Sequence, residues 1–111
     1  MDWITLYKIA RVYQYKKEYQ LAIDAYQNLA AKTPGNPEPF YGIGQVYANY
    51  LHDYEKGLDY MCKAYNLYTE QKSAYRSDAE QIIRLIYTEM KKLGMGNKFE
   101  EILRANHISS K

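Results

Sequence analysis

The sequence predicts an all-α chain of about six helices, stacked as antiparallel pairs. Three observations carry this. First, Leu6, Ile9, Ala10 and Tyr13 recur 34 residues later as Phe40, Ile43, Gly44 and Tyr47, and Tyr19, Ala22, Ile23, Tyr26 and Leu29 recur 35 later as Tyr54, Gly57, Leu58, Met61 and Ala64. A fixed period of this length, built from helical segments, is the signature of stacked helical repeats. Second, the spacing of Leu6, Ile9, Ala10 and Tyr13 is i, i+3, i+4, i+7, one face of a helix. Third, no sustained period-two alternation signals a strand. The step from 34 to 35 places one inserted residue near Leu51 and His52, in the turn before Asp53.

Each element follows from local signals. Asp2 is placed to cap a first helix running to about Tyr15. Lys16-Lys17-Glu18 is a short polar turn, and a second helix, about Tyr19 to Lys32, turns Ala22, Ala25, Tyr26 and Leu29 inward. Turns this short force consecutive helices to be antiparallel. Thr33-Pro34-Gly35-Asn36-Pro37 is the clearest break: Pro34 cannot continue a helix, Gly35 admits positive φ, and Asn36 before Pro37 is an N-cap followed by a favoured first position. The third helix runs from Pro37 to about Tyr50. Asp53 caps a fourth, which begins at Tyr54 and, with Thr69 where the first unit has Pro34, runs on to about Gln71.

Beyond it Ser77 with Glu80 reads as a capping box, with Ser73 as an earlier start. A fifth helix carries Ala79, Ile82, Ile83, Ile86, Met90 and Leu93; Gly94 and Gly96 end it. Asn97 with Glu100 is expected to cap a short sixth helix bearing Phe99, Ile102 and Leu103. The expected organisation is one domain, 1–106, with units at about 3–36 and 37–71, a degenerate unit or capping pair at about 73–105, and a frayed tail over 107–111.

Composition narrows the class of work. At 111 residues the chain can bury one modest core. A net charge of +2 does not by itself imply nucleic acid or membrane. Tyrosine is the outlier, at 14 residues against two Phe and one Trp. It supplies apolar area with a hydroxyl that needs a partner, which suits half-buried seams. Cys62 is the only cysteine, so no intramolecular disulfide forms; its place in a helix four residues after Leu58 favours packing over nucleophilic work. A reducing, cytoplasmic setting is the simplest expectation. No apolar run approaches the ~18 residues a membrane span needs, and Met1-Asp2-Trp3, without a basic region and apolar core after it, is not expected to open a signal peptide.

These residues resemble the tetratricopeptide repeat family. Leu6, Ile9, Ala10, Tyr13, Tyr19, Ala22, Tyr26 and Pro34 fill its signature positions in the first unit, and Phe40, Ile43, Gly44, Tyr47, Tyr54, Gly57 and Ala64 in the second. The resemblance implies a right-handed superhelix of antiparallel helix pairs. Ala10, Ala22, Gly44 and Gly57 would sit where backbones approach, with Tyr13, Tyr26 and Tyr47 filling the adjoining gaps.

The resemblance also implies a concave groove, lined by the first helix of each pair, that holds a peptide or a helix of another protein. Its positions correspond to Ile4, Tyr7, Arg11, Gln14 and Tyr15 on the first helix, and to Glu38, Tyr41, Gln45, Ala48 and Asn49 on the third. Arg84, Thr88 and Lys91 correspond on the fifth. Aromatic anchors beside long donors are enriched at binding hot spots. The plainer reading is a solvated face in a tyrosine-rich chain. With Glu38 the one acid, a ligand bearing an acidic group among apolar anchors is expected. Chaperone-adaptor members of the family clamp a carboxylate with Lys and Asn, where this chain has Tyr7, Arg11 and Gly42, with Arg84 alone able to match. Such tails are therefore not expected as ligands. Phe40-Tyr41-Gly42-Ile43-Gly44 has a short likeness to secretion chaperones of the family.

Catalysis and cofactors are not expected. His52 lies in a turn and His107 in the tail, with no carboxylate or cysteine at a diagnostic spacing, and no Cys/His cluster offers a metal site. Gly94-Met95-Gly96 lacks the lysine and hydroxyl of a phosphate loop. Nucleic-acid binding would pair tyrosine stacking with a basic stripe, and no dense stripe is present. The remaining alternative is an assembly or dimerisation module packing through the edge formed by Trp3, Ile4 and Val12.

Overall fold

A computed structural model describes residues 2–109. Local signals set most helix ends. In α1 (Trp3–Tyr15) the Asp2 carboxylate accepts the Thr5 N–H at 2.8 Å. Its far end closes as Glu18 N–H donates to the Tyr13 carbonyl and Lys17 N–H to Gln14, with Lys17 left-handed at φ 63°. α2 (Tyr19–Lys32) ends at Thr33, and Gly35, at φ 86°, turns the chain. The Asn36 side chain accepts the Glu38 N–H at 3.1 Å to start α3, whose α-helical part is Pro37–Gln45. α4 (Tyr54–Glu70) begins as Asp53 accepts the Lys56 N–H at 3.2 Å. α5 spans Arg76–Lys92 and α6 Gly96–Ala105. Among the described residues the chain has six helices and no strand.

The inserted residue lies elsewhere than in the turn at Leu51 and His52. α3 finishes as a π-helical turn, Val46–Tyr50. In the first pair Lys16 N–H donates to Val12, a span of four, and Glu18 to Tyr13, a span of five. In the second Leu51 N–H donates to Val46 and Asp53 to Tyr47, one residue wider each time. The extra residue is therefore absorbed between Tyr47 and Leu51 inside the last helical turn, as insertions into helices commonly are. His52, at φ 54°, then occupies the place of Lys17.

Two capping expectations are corrected. Ser77 does not cap α5: its hydroxyl donates back to the Ala74 carbonyl, while Ser73 Oγ accepts the Tyr75 N–H and opens the turn that precedes the helix. Asn97 lies one residue inside α6, whose N-cap is Met95 and makes no side-chain bond. Neither helix has a side-chain bond at its N-cap residue, and α5 is ended as expected by Gly94 at φ 74°.

Two apolar layers fill the fold, and α3 divides them. Ala10, Ala22, Ile23 and Tyr26 meet Ile43 and Val46 on one side. On the other, Ala48 joins Leu58, Met61, Ala64 and Tyr68 of α4 with Ile82, Ile86 and Met90 of α5 and Phe99 and Leu103 of α6. The close approaches fall at glycines. A Cβ on Gly44 would come within 3.1 Å of the Gly57 carbonyl oxygen, and one on Gly57 within 3.0 Å of the Ala48 nitrogen.

The C-terminal end is tied to α4. Asn106 donates to Asp59 at 2.9 Å and to the Ile102 carbonyl at 2.9 Å, and its own carbonyl accepts from Asn66 at 2.8 Å. Of the tail expected to fray, Ile108 packs against the second apolar layer and its N–H closes on Leu103; residues 110–111 lie outside the described residues. Leu93, expected on the inner face of α5, is exposed.

Candidate functional site

Four-residue spacing along α1 brings Tyr7, Arg11 and Tyr15 onto one stripe. The Arg11 guanidinium sits between the two rings, 5.8 and 5.6 Å from their centroids, and donates to both hydroxyls at 3.3 Å. One turn on, Gln14 Nε2 donates to Gln45 Oε1 at 3.4 Å, linking α1 to α3. Gln14 Oε1 accepts the Tyr26 hydroxyl at 2.8 Å. Tyr26 comes up from α2 beneath these residues; burial, with Tyr7 beside it, raises its pKa well above the ordinary tyrosine range. The ring of Tyr7 lies tilted on it, centroids 5.8 Å apart.

The surface continues from α3 to α5. Tyr68, near the end of α4, donates its hydroxyl to the Glu38 carboxylate. Burial and that carboxylate both push its pKa up. Its ring meets Tyr41 edge-on at 6.4 Å and Tyr75 at 6.0 Å. Asp78 stands one turn beyond Tyr75, its N–H on the Tyr75 carbonyl. Burial, then the charges of Asp78, Tyr7 and Glu38, raise the pKa of Tyr41. Glu38, bound to Tyr68, and Asp78, one turn from Tyr75, thus bring one carboxylate from α3 and one from α5 to this run of rings, while Arg11 acts on Tyr41 in the opposite sense. Tyr68, Tyr75 and Asp78 are not announced by the sequence pattern: the first sits on a second helix of a pair, and the others precede or begin a helix of loose pattern.

Tyr7, Arg11, Gln14, Tyr15, Tyr41 and Gln45 therefore come together, and the remaining expected groove residues divide. Asn49 is exposed and lines a shallow cleft with His52, Tyr54, Leu85 and Glu89. Ala48 is not on the surface; it is core, against Gly57. Arg84 pairs with Glu80 at 2.8 Å and lines a different cleft, of about 440 Å³, among Tyr65, Tyr87, Phe99 and Glu100. Thr88 is exposed with its hydroxyl on the Arg84 carbonyl, and Lys91 stands over the Tyr87 ring at 5.7 Å. The residues that α5 turns toward α3 are Leu85, Ile86 and Glu89, because its packing on α4 and α6 rotates Arg84 and Tyr87 toward α6. Ile4 is exposed at the edge beside Trp3.

Cys62 is fully buried, and burial pushes its thiol up to about 12. Among the described residues no three His, Cys, Asp or Glu side chains are grouped to hold a metal, and no helix is long and apolar enough to cross a membrane. No family model matches the chain, and no curated protein matches it.

Proposed function

We propose that the chain is a tetratricopeptide-like stack of helix pairs that works as a non-enzymatic adaptor. It binds a peptide or helix of another protein across the first helices of its pairs. The observation that carries this reading is the joined surface of Tyr7, Arg11, Gln14, Tyr41 and Gln45. Half-buried aromatic and long polar side chains from two helices are tied together by the Gln14–Gln45 bond and by Tyr26 below. Rings held in place beforehand lose little freedom on binding. A surface this short fits micromolar affinity, about −8 kcal/mol.

The test is selection of a displayed peptide library on the purified protein, followed by titration of the selected peptides. Tyr41→Ala should weaken them by ~2 kcal/mol, about thirty-fold, with helical circular dichroism unchanged. Arg11→Ala should act mainly at low salt, as a half-exposed charge does. Selected peptides that bind both variants as they bind wild type would move the site elsewhere.

A second reading is assembly through the N-terminal edge. Trp3 and Ile9 are each 38% exposed, and Ile4 and Val12 are 50% exposed. Ile43 and Val46, the counterparts of Ile9 and Val12 on α3, are fully buried against the first pair. The same face of α1 has no such cover among the described residues, and concentration-dependent sedimentation, abolished by Val12→Glu, is its expected behaviour.

A further inference from the structure

We propose that the surface around Tyr41 selects a partner segment carrying a lysine or arginine side chain, seated against Tyr41 and Tyr75 with its charge facing Glu38 and Asp78. This rests on the adaptor reading and adds the chemistry of the ligand. It also reverses the expectation, drawn from the sequence, of an acidic group on the ligand.

The reversal comes from where the charges go. Arg11, the cation that was to meet an acidic ligand, is held between Tyr7 and Tyr15 and donates to both hydroxyls. The hydroxyl of Tyr68, whose ring meets Tyr41, is also committed, to Glu38. α3 carries no lysine or arginine, and its one charged residue is Glu38. On α5 the first cation, Arg76, lies by the carboxylate of Glu80, which also pairs with Arg84. The Glu38 carboxylate sits on the Tyr68 hydroxyl, whose ring meets Tyr41 and Tyr75, and Asp78 stands one turn beyond Tyr75; among the described residues neither acid is in a salt bridge. Arg11 is the one cation that acts on Tyr41, against the two carboxylates Glu38 and Asp78, so the balance of charge on this side of the surface favours a cationic ligand group over an anionic one. Three rings add to the preference. Tyr41, Tyr68 and Tyr75 form a continuous strip, with Tyr75 the most open at 61% exposed. Aromatic faces attract ammonium and guanidinium groups through their quadrupoles, and apolar stems of Lys and Arg lie well on them.

The experiment uses arrays of nine-residue peptides with randomised flanks and a fixed central residue: Lys, Arg, norleucine or Glu. They are titrated against the whole chain by fluorescence polarisation. Lys- and Arg-centred arrays should bind best, and more weakly as salt is raised. Glu38→Gln and, on the exposed first turn of α5, Asp78→Asn should each weaken them by about tenfold, and by clearly more than they weaken the norleucine array. A preference for Glu, or a Lys preference that survives both substitutions, overturns the proposal. If a Glu preference disappears in Tyr41→Ala, the site stands and only its charge selectivity falls. Binding indifferent to Tyr41→Ala overturns the adaptor surface itself, and an absence of binding by every array overturns both.

Discussion

The ring of Tyr26 occupies the space that a side chain on Gly42 would need. A Cβ at residue 42 would stand 2.5 Å from Cζ of that ring and 2.6 and 2.8 Å from its two Cε atoms. The ring cannot simply move aside, since its hydroxyl is bound to Gln14 at 2.8 Å and Tyr7 lies over it. One glycine thus lets α3 pass over α2 and fixes the aromatic floor of the proposed binding surface.

Gly42→Ala should therefore destabilise the protein by about 1–3 kcal/mol through overpacking, outweighing the gain of up to about 1 kcal/mol that Ala brings to a helix interior. Urea unfolding measures the difference. In a Tyr26→Leu background the same substitution should cost clearly less, because the clashing ring is gone. A more stable Gly42→Ala protein would show that the ring is not there.

Deletion of Asn49 should be tolerated. It would shorten the Leu51–Val46 and Asp53–Tyr47 bonds by one residue each, to the spans seen at the end of α1. Asn49 is exposed, so only the π turn is lost. Stability within about 1 kcal/mol of wild type by urea unfolding is expected. Deletion of Gln45, which rotates the π turn with Val46 and Ala48 out of register, should unfold the domain.

Asn106→Ala should loosen the C-terminal end. It removes the amide that bridges Asp59 and the Ile102 carbonyl. A cost of about 1–3 kcal/mol follows for a bond to a charged acceptor. Hydrogen exchange should locate the loss in α6, with α1 and α2 protected as before. Equal deprotection of all six helices would contradict a local clasp.

Stability should fall at alkaline pH. Burial lifts Cys62 from its ordinary 9.0 to about 12, and Tyr26, Tyr41 and Tyr68 are also raised, by burial first. Above pH 9 the unfolded chain releases these protons while the folded chain keeps them. The unfolded state then binds fewer protons, and stability drops with rising pH. The contribution of Cys62 is intact below pH 9 and is lost as pH rises toward 12. Chemical denaturation across pH 7–11 should show a plateau and then a decline, and Cys62→Ala should delay its onset. At pH 8 a thiol reagent should label Cys62 only as fast as the protein opens.

Helix ends were legible wherever one residue caps its own neighbours: Asp2, Asn36, Asp53 and Gly94 act within a few residues, so the chain states them locally. The period was legible for the same reason, since Ile43 and Val46 repeat the apolar spacing of Ile9 and Val12. So was the stripe of Tyr7, Arg11 and Tyr15, because four-residue steps on a helix put side chains on one side; that Gln45 of α3 would meet Gln14 was implied only by the family resemblance. Tertiary structure decided the rest. Whether Arg84 or Leu85 turns toward α3 depends on how α5, with its broad apolar face, rotates against α4 and α6. A step of 100° per residue makes neighbours point to different sides, so a loosely patterned helix does not announce its rotation. The place of the inserted residue, the seating of Tyr26 under Gly42, and the meeting of Glu38, Tyr68 and Asp78 likewise depend on atoms far apart in the chain. Capping and periodicity are local and can be read in order; close approach and charge balance exist only once the helices have packed.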